Sequence, residues 1–146
     1  KNDVTFRRRP NGGGPVYAGK GSAFLIFFLP TSHPEVPETA SIAFPKILTA
    51  FAETLAKRYD FPAEYRPLND VQVQGRKLIP TSLKIENGVM TFRIVINVKP
   101  IDTEFAVKIM PMPPENVKDK VLKDMTSRFT CLEREAGRAI DAEDLL

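Results

Sequence analysis

Apolar positions along the chain recur with two different spacings. Residues 22–29, SAFLIFFL, are an apolar run suited to a buried strand, and residues 4–9 read as a shorter strand leading into a glycine-rich loop. Phe44, Ile47, Leu48, Phe51, Leu55 and Tyr59 then recur every three or four residues, which predicts one amphipathic helix. Pro45 suits its first turn, and the helix should end near Tyr59, before Pro62. Between them, residues 30–37 form a turn-rich connector holding the single histidine, His33. From 68 to 98 the pattern alternates and is broken at Gly75, at Pro80 and at the pair Asn87 and Gly88, giving three strands. Residues 81–85 and 90–98 flank Asn87 and Gly88 as a hairpin. Short helices are expected at 103–109 and 115–125, and Asp141 with Asp144 resembles a capped helix start. The order β, β, α, β, β, β, α, α predicts an α+β domain with a mixed or antiparallel sheet flanked by helices.

Composition narrows the class. The 146 residues fit one domain, taken as 1–146, and 42% hydrophobic with 27% charged residues is globular composition. No apolar run approaches the ~18 residues of a membrane span. A net charge of +3 argues against nucleic acid, which calls for a clustered basic face. One cysteine, Cys131, cannot form an internal disulfide and fits a reducing compartment, so a cytoplasmic location is expected. Cys131 lies between Phe129 and Leu132 and reads as a buried, inert thiol. His33 has no partner at ligand spacing, and no structural metal site is predicted. The chain begins with Lys and opens almost directly into a strand, so something upstream is expected to be missing.

The candidate chemistry starts at residues 7–22, RRRPNGGGPVYAGKGS. Three successive glycines allow positive φ and bring backbone amides against a ligand with no side chain in the way. Arg8 and Arg9 would add fixed, forked charge. The spacing matches neither a phosphate loop nor a dinucleotide fingerprint. By composition alone, a solvated hairpin loop competes evenly with an anion-binding one.

Arg8, Arg9, Gly12, Gly13, Gly14, Val16 and Tyr17 stand in the pattern R-R-x-x-G-G-G-x-V-[FY], which resembles the signature of the lipoate protein ligase and octanoyltransferase family, relatives of biotin protein ligase. Asn69-Asp70-Val71 followed by Gly75-Arg76-Lys77-Leu78 is similar to the family's N-D-[ILV] and G-x-K-[IV] segments, in the same order. Residues 126–133, TSRFTCLE, are similar to its S-R-V-T-N-L-x-E segment. The resemblance runs from about 7 to 133. It implies the biotin/lipoate ligase fold, akin to class II synthetases, with the usual portion ahead of the glycine loop absent. It also implies a substrate of lipoate or octanoate, ATP and Mg²⁺ as cofactors, and a lipoyl-type carrier protein or a complementary subunit as partner.

By that resemblance Lys77 contacts the carbonyl and phosphate oxygens of the activated acyl group and is the catalytic candidate. Arg8, Arg9, Gly12, Gly13, Gly14, Val16, Tyr17, Asn69 and Asp70 bind the acyl adenylate, and Asp70 is the candidate Mg²⁺ ligand. Departures are also visible. Ala18-Gly19 replace His-Asp after the loop, Ile79-Pro80 follow Lys77, and Phe92-Arg93 stand where relatives carry His-Gly. Met112 stands near the place of the cysteine nucleophile used by one octanoyltransferase branch. Two functions therefore compete: acyl activation and transfer, and a non-catalytic ligase-like subunit that keeps the fold. An incomplete sheet would leave a strand edge and an apolar wall exposed.

Overall fold

The computed structural model describes residues 5–8, 19–109 and 127–145. Among these, five strands form one sheet: β1 (Ser22–Pro30), β2 (Ala63–Arg66), β3 (Asp70–Val73), β4 (Arg76–Glu86) and β5 (Val89–Asn97). Their order is β1-β5-β4-β3-β2, and every neighbouring pair is antiparallel. With its flanking helices this is the α+β architecture expected from the sequence.

Helix α1 (Ala40–Tyr59) supplies the second layer. It starts five residues before Pro45, so the proline sits inside the helix rather than in its first turn. The start is set by Thr39, whose extended backbone precedes the first turn and whose carbonyl accepts from the Ala43 amide at 2.9 Å. Asp60 ends the helix in the left-handed region at φ 58°, with its amide donating to the Ala56 carbonyl at 3.0 Å. Tyr59 is the last helical residue, as the pattern predicts.

Alternation along the strands divides the sheet into two faces. Val71, Val73, Ile79, Met90, Phe92, Ile94 and Ile96 are buried in the core with Ala43, Leu48, Ala52, Leu55 and Tyr59 of α1. Phe44 meets Phe92 edge-on, with ring centroids 5.7 Å apart. Leu132 and Ile140, from the C-terminal segment, complete this core. Helix α2 is Thr103–Ile109, matching the expected span, and α3 is Leu132–Ala136. Asp141 caps the final turn, accepting at its Oδ1 from the Glu143 amide at 3.3 Å.

Three further sequence expectations change. Residues 5–8 form no strand: Phe6 is 70% exposed, and this segment takes part in none of the ladders. A β-compatible pattern becomes a strand only when a neighbour accepts its hydrogen bonds. The run at 22–29 is not buried. β1 is an edge strand with Phe24, Ile26, Phe27 and Phe28 exposed, because a continuous apolar run does not report how many of its faces are covered. Pro80 does not break the chain but lies within β4. It faces Asp70 of β3, and the ladder from β4 to β5 begins one residue later, at Thr81. A residue with no amide is tolerated where the pairing changes from one neighbour to the other. The expected helix at 115–125 lies outside the described residues.

Candidate functional site

The second face of the sheet, away from α1, carries the chemistry. Gln74 at φ 49° and Gly75 at φ 79° form the two-residue turn joining β3 to β4, and only the glycine takes that conformation without strain. A register shift follows between Val71 and Gln72, so Lys77 faces Gln72 while Asp70 faces Pro80. The shift puts Lys77 and Asp70 on the same side. Lys77 Nζ meets Asp70 Oδ2 at 2.7 Å, with the lysine side chain 35% and the aspartate 17% exposed. The other aspartate oxygen, Oδ1, is buried and accepts no hydrogen bond among the described residues.

Neighbouring groups fix this pair. Asn69 Nδ2 donates to the Thr81 carbonyl at 2.7 Å, and Thr81 Oγ1 donates back to the Asn69 carbonyl at 2.6 Å. This reciprocal clamp holds the entry to β3 against β4, one residue before Asp70. On the far side of Lys77, Phe129 forms a parallel bridge to it, and the Thr130 amide donates to the Lys77 carbonyl at 3.0 Å. The Lys77 ammonium lies 6.0 Å from the Phe129 ring centroid. Arg76 reaches both oxygens of Glu135, at 2.8 and 3.0 Å, and Thr130 Oγ1 also donates to Glu135. The second and third motif blocks, more than fifty residues apart in sequence, thus meet around Lys77.

Replacing Thr81 with valine should keep its shape and remove one half of the clamp. Leaving the Asn69 carbonyl unpaired should lower stability by about 1–3 kcal/mol, readable in urea melts. Cys131 is 1% exposed, and burial raises its thiol above the ordinary cysteine range, despite Arg134 nearby. It should therefore react with iodoacetamide much more slowly in the native protein than in the urea-unfolded chain. A thiol titration that showed equal rates would contradict that placement.

Among the site residues expected from sequence, the structure brings Asn69, Asp70 and Lys77 together. Arg8 is exposed on the short described segment 5–8. Arg9, Gly12, Gly13, Gly14, Val16 and Tyr17 lie outside the described residues. Three features escaped the sequence: the ion pair between Lys77 and Asp70, the packing of Phe129 beside it, and the apolar row Phe24, Ile26, Phe28. None had a local signal: residues 23–29 are apolar at every position, which does not show the face that stays open. His33 is exposed, as expected, and its Nδ1 accepts from the Glu35 amide at 3.2 Å. It borders an open depression of about 380 Å³ that none of the candidate residues line.

The profile of the lipoyl protein ligase A/B catalytic domain matches residues 1–146. The chain belongs to that family. A search of curated proteins gives no match. Among solved structures, this lipoyl ligase domain is similar to a bipartite lipoate protein ligase from Thermoplasma acidophilum, described together with its E2 lipoyl domain. Identity is 18% and TM-score 0.79, over 94% of this chain and 52% of that one. It is also similar to LipL1 of P. falciparum in complex with lipoate, at 18% identity and TM-score 0.65 over 94% of this chain and 33% of the other. The biotin protein ligase of Aquifex aeolicus matches at 21% identity and TM-score 0.56, over 86% of this chain and 47% of that one. At such identities the shared property is the ligase fold. The chain spans about half the length of the Thermoplasma and Aquifex proteins, and a third of the P. falciparum one. Among the described residues of this ligase domain, no helix is long and apolar enough to cross a membrane.

Proposed function

We propose that the chain is the acyl-handling part of a lipoate protein ligase, activating or transferring lipoate or octanoate to a lysine of a lipoyl-type carrier domain. The observation that carries this is the Lys77–Asp70 pair, with one buried carboxylate oxygen left unpartnered on a sheet face that α1 does not cover. A lysine held at a fixed point supplies positive charge where the carbonyl oxygen of an activated acyl group gains negative charge. When the neutral amine of the carrier lysine attacks, its new C–N bond forms and the acyl C–O bond to phosphate breaks, with AMP leaving and the amine's proton passing to solvent, and the ammonium of Lys77 faces the acyl oxygen that carries the charge in between. Asp70 holds Lys77 at one of its oxygens.

The free Oδ1 of Asp70 suits a Mg²⁺ ion, which commonly takes one or two protein carboxylates and completes its shell with phosphate oxygens and water. Among the described residues there is no cluster of three or more metal-ligating side chains, so Asp70 would hold such an ion together with a nucleotide's phosphates. Bound there, Mg²⁺ would neutralise phosphate charge. Arg8, Arg9 and the glycines at 12–14, with Val16 and Tyr17, are proposed to bind the acyl adenylate as well.

A second reading, a ligase-like subunit that binds without turnover, draws on the exposed edge strand β1. Phe24 and Phe28 are 54% and 69% exposed, as a surface awaiting a complementary subunit would be. Calorimetric titration with a sulfamoyl analogue of octanoyl adenylate separates outcomes. Binding that Lys77→Ala weakens supports an acyl-adenylate site. Absence of binding to the intact protein, with its native partner present, would falsify the ligase reading.

A further inference from the structure

Arg93 lies on the same sheet face as the Lys77–Asp70 pair. In β5 it stands directly opposite Ile26 of β1 on one side and Ser82 of β4 on the other. Residues opposite one another in antiparallel strands share a face, and Pro80, two residues before Ser82, stands opposite Asp70. Arg93 and Asp70 are therefore two strand spacings apart and offset by two residues, which puts their backbones roughly 12 Å from one another. Phe24, Ile26, Phe28 and Val95 flank the guanidinium on this face by the same alternation.

Its Nη1 is buried, and among the described residues it has no hydrogen-bond partner and Arg93 takes part in none of the ion pairs. Guanidinium groups keep their charge under all ordinary conditions, so burial cannot be relieved by losing a proton. Buried polar groups in native proteins are almost always satisfied, and an orphan calls for a reason. Phe24, Ile26 and Phe28 beside it are 54%, 48% and 69% exposed, so the face is open to a ligand from solution. Of the described carboxylates that β3 and β4 put on this face, Asp70 already holds Lys77 and Glu86 holds Lys84, each at 2.7 Å.

From this geometry we infer that Arg93 receives an oxyanion, a carboxylate or phosphoryl oxygen, of the ligand that lies across this face, at a point distinct from the one Lys77 meets. The inference rests on the acyl-ligand reading above and adds a specificity element to it: the ligand carries a second negatively charged or strongly accepting group about one side-chain reach from the activated carbon. Two sources share that chemistry. They are a carboxylate at the far end of a medium-chain acid and a nucleotide phosphate.

The test is calorimetric titration of the full chain, as wild type, Arg93→Gln and Arg93→Lys, with octanoate, octanedioate and AMP as probes, alongside thermal melts without ligand. Loss of a charged hydrogen bond should raise the dissociation constant of octanedioate or of AMP by about 10- to 100-fold in the glutamine variant, with partial recovery in the lysine variant. The unliganded melting temperature should hold or rise, since an unpaired buried charge has been removed, whereas a purely structural arginine would lower it. A change confined to octanedioate assigns the distal carboxylate and one confined to AMP the phosphate, whereas one shared by both acids places the head carboxylate itself at Arg93 and overturns the inference. Unchanged affinity for all three probes, or no binding of any to the wild type, overturns the inference. Should Arg93→Gln fail to fold, Arg93→Lys decides alone, because it keeps the charge and loses the fork; undiminished affinity in it counts against the proposal. Failure of the ligase reading shows separately, as an acyl-adenylate analogue indifferent to Lys77→Ala while Arg93→Gln still weakens a probe.

Discussion

Replacing Lys77 with alanine is expected to slow acyl transfer to a lipoyl domain by about 10²- to 10³-fold, the usual consequence of deleting one preorganised charge donor facing a developing oxyanion. The loss should appear mainly in kcat. Lys77 is proposed to act on charge that forms during reaction, so binding of the unreacted acid should change far less. Its position explains why little else can compensate. The Lys77 backbone is tied to residues 129 and 130 by a bridge and a 3.0 Å hydrogen bond, and its Nζ to Asp70 at 2.7 Å. Arginine at position 77 should restore only a small part of the rate, because a planar fork cannot occupy the site of a compact ammonium. Asp70→Asn should also reduce the rate, with a smaller effect, since the amide oxygen still accepts from Lys77 while the charge that fixes it is gone. Single-turnover transfer measured with saturating acyl donor reads these differences. A Lys77→Ala rate within a factor of three of wild type would remove Lys77 from the chemistry.

The largest stability effect is expected at Phe92. Its ring is fully buried on the core face of the sheet and meets Phe44 of α1 edge-on. Truncation to alanine removes both the apolar transfer energy and the packing of surrounding side chains, which typically costs about 3–5 kcal/mol. In a domain whose whole stability is roughly 5–15 kcal/mol, that is a large share, and the melting temperature should fall by roughly 10 °C or more. Leucine at the same position should recover most of it. Phe28→Ser, on the exposed edge strand, should by contrast leave the melting temperature of the isolated chain nearly unchanged, because its side chain is already 69% exposed. Melts that ranked the two substitutions in reverse would show that the core and the open face have been interchanged.

The comparison of these two positions also shows what a sequence can tell. Phe92 sits in an alternating strand next to an Asn87-Gly88 turn, whose positive φ values of 50° and 74° are the hairpin signature, so its hairpin partner could be read directly. Phe28 sits in an apolar run with no period, and whether such a run is covered depends on what the rest of the protein places against it. Strand β2, four residues between Pro62 and Pro67, is too short for any period to register and was not anticipated. The start of α1 was misplaced because a proline within a helix looks, residue by residue, like a proline at its beginning. For the site, residue types and motif order singled out Asn69, Asp70 and Lys77. Their pairing was not legible, since it depends on a one-residue register shift between β3 and β4. The sequence marks Arg93 only as a departure from the family's His-Gly, and its isolation becomes visible only once its neighbours on β1 and β4 are known.

The central claim is that the sheet face bearing Lys77 and Asp70 receives the activated acyl group. An experimental structure with a non-hydrolysable octanoyl-adenylate analogue, determined with the native partner present, tests it most directly. The account predicts the oxygen next to the acyl carbon within hydrogen-bond reach, about 3 Å, of Lys77 Nζ, with the hydrocarbon tail lying along the face that carries Ile26 and Arg93. A ligand bound on another surface, with Lys77 still engaged only by Asp70, would contradict it.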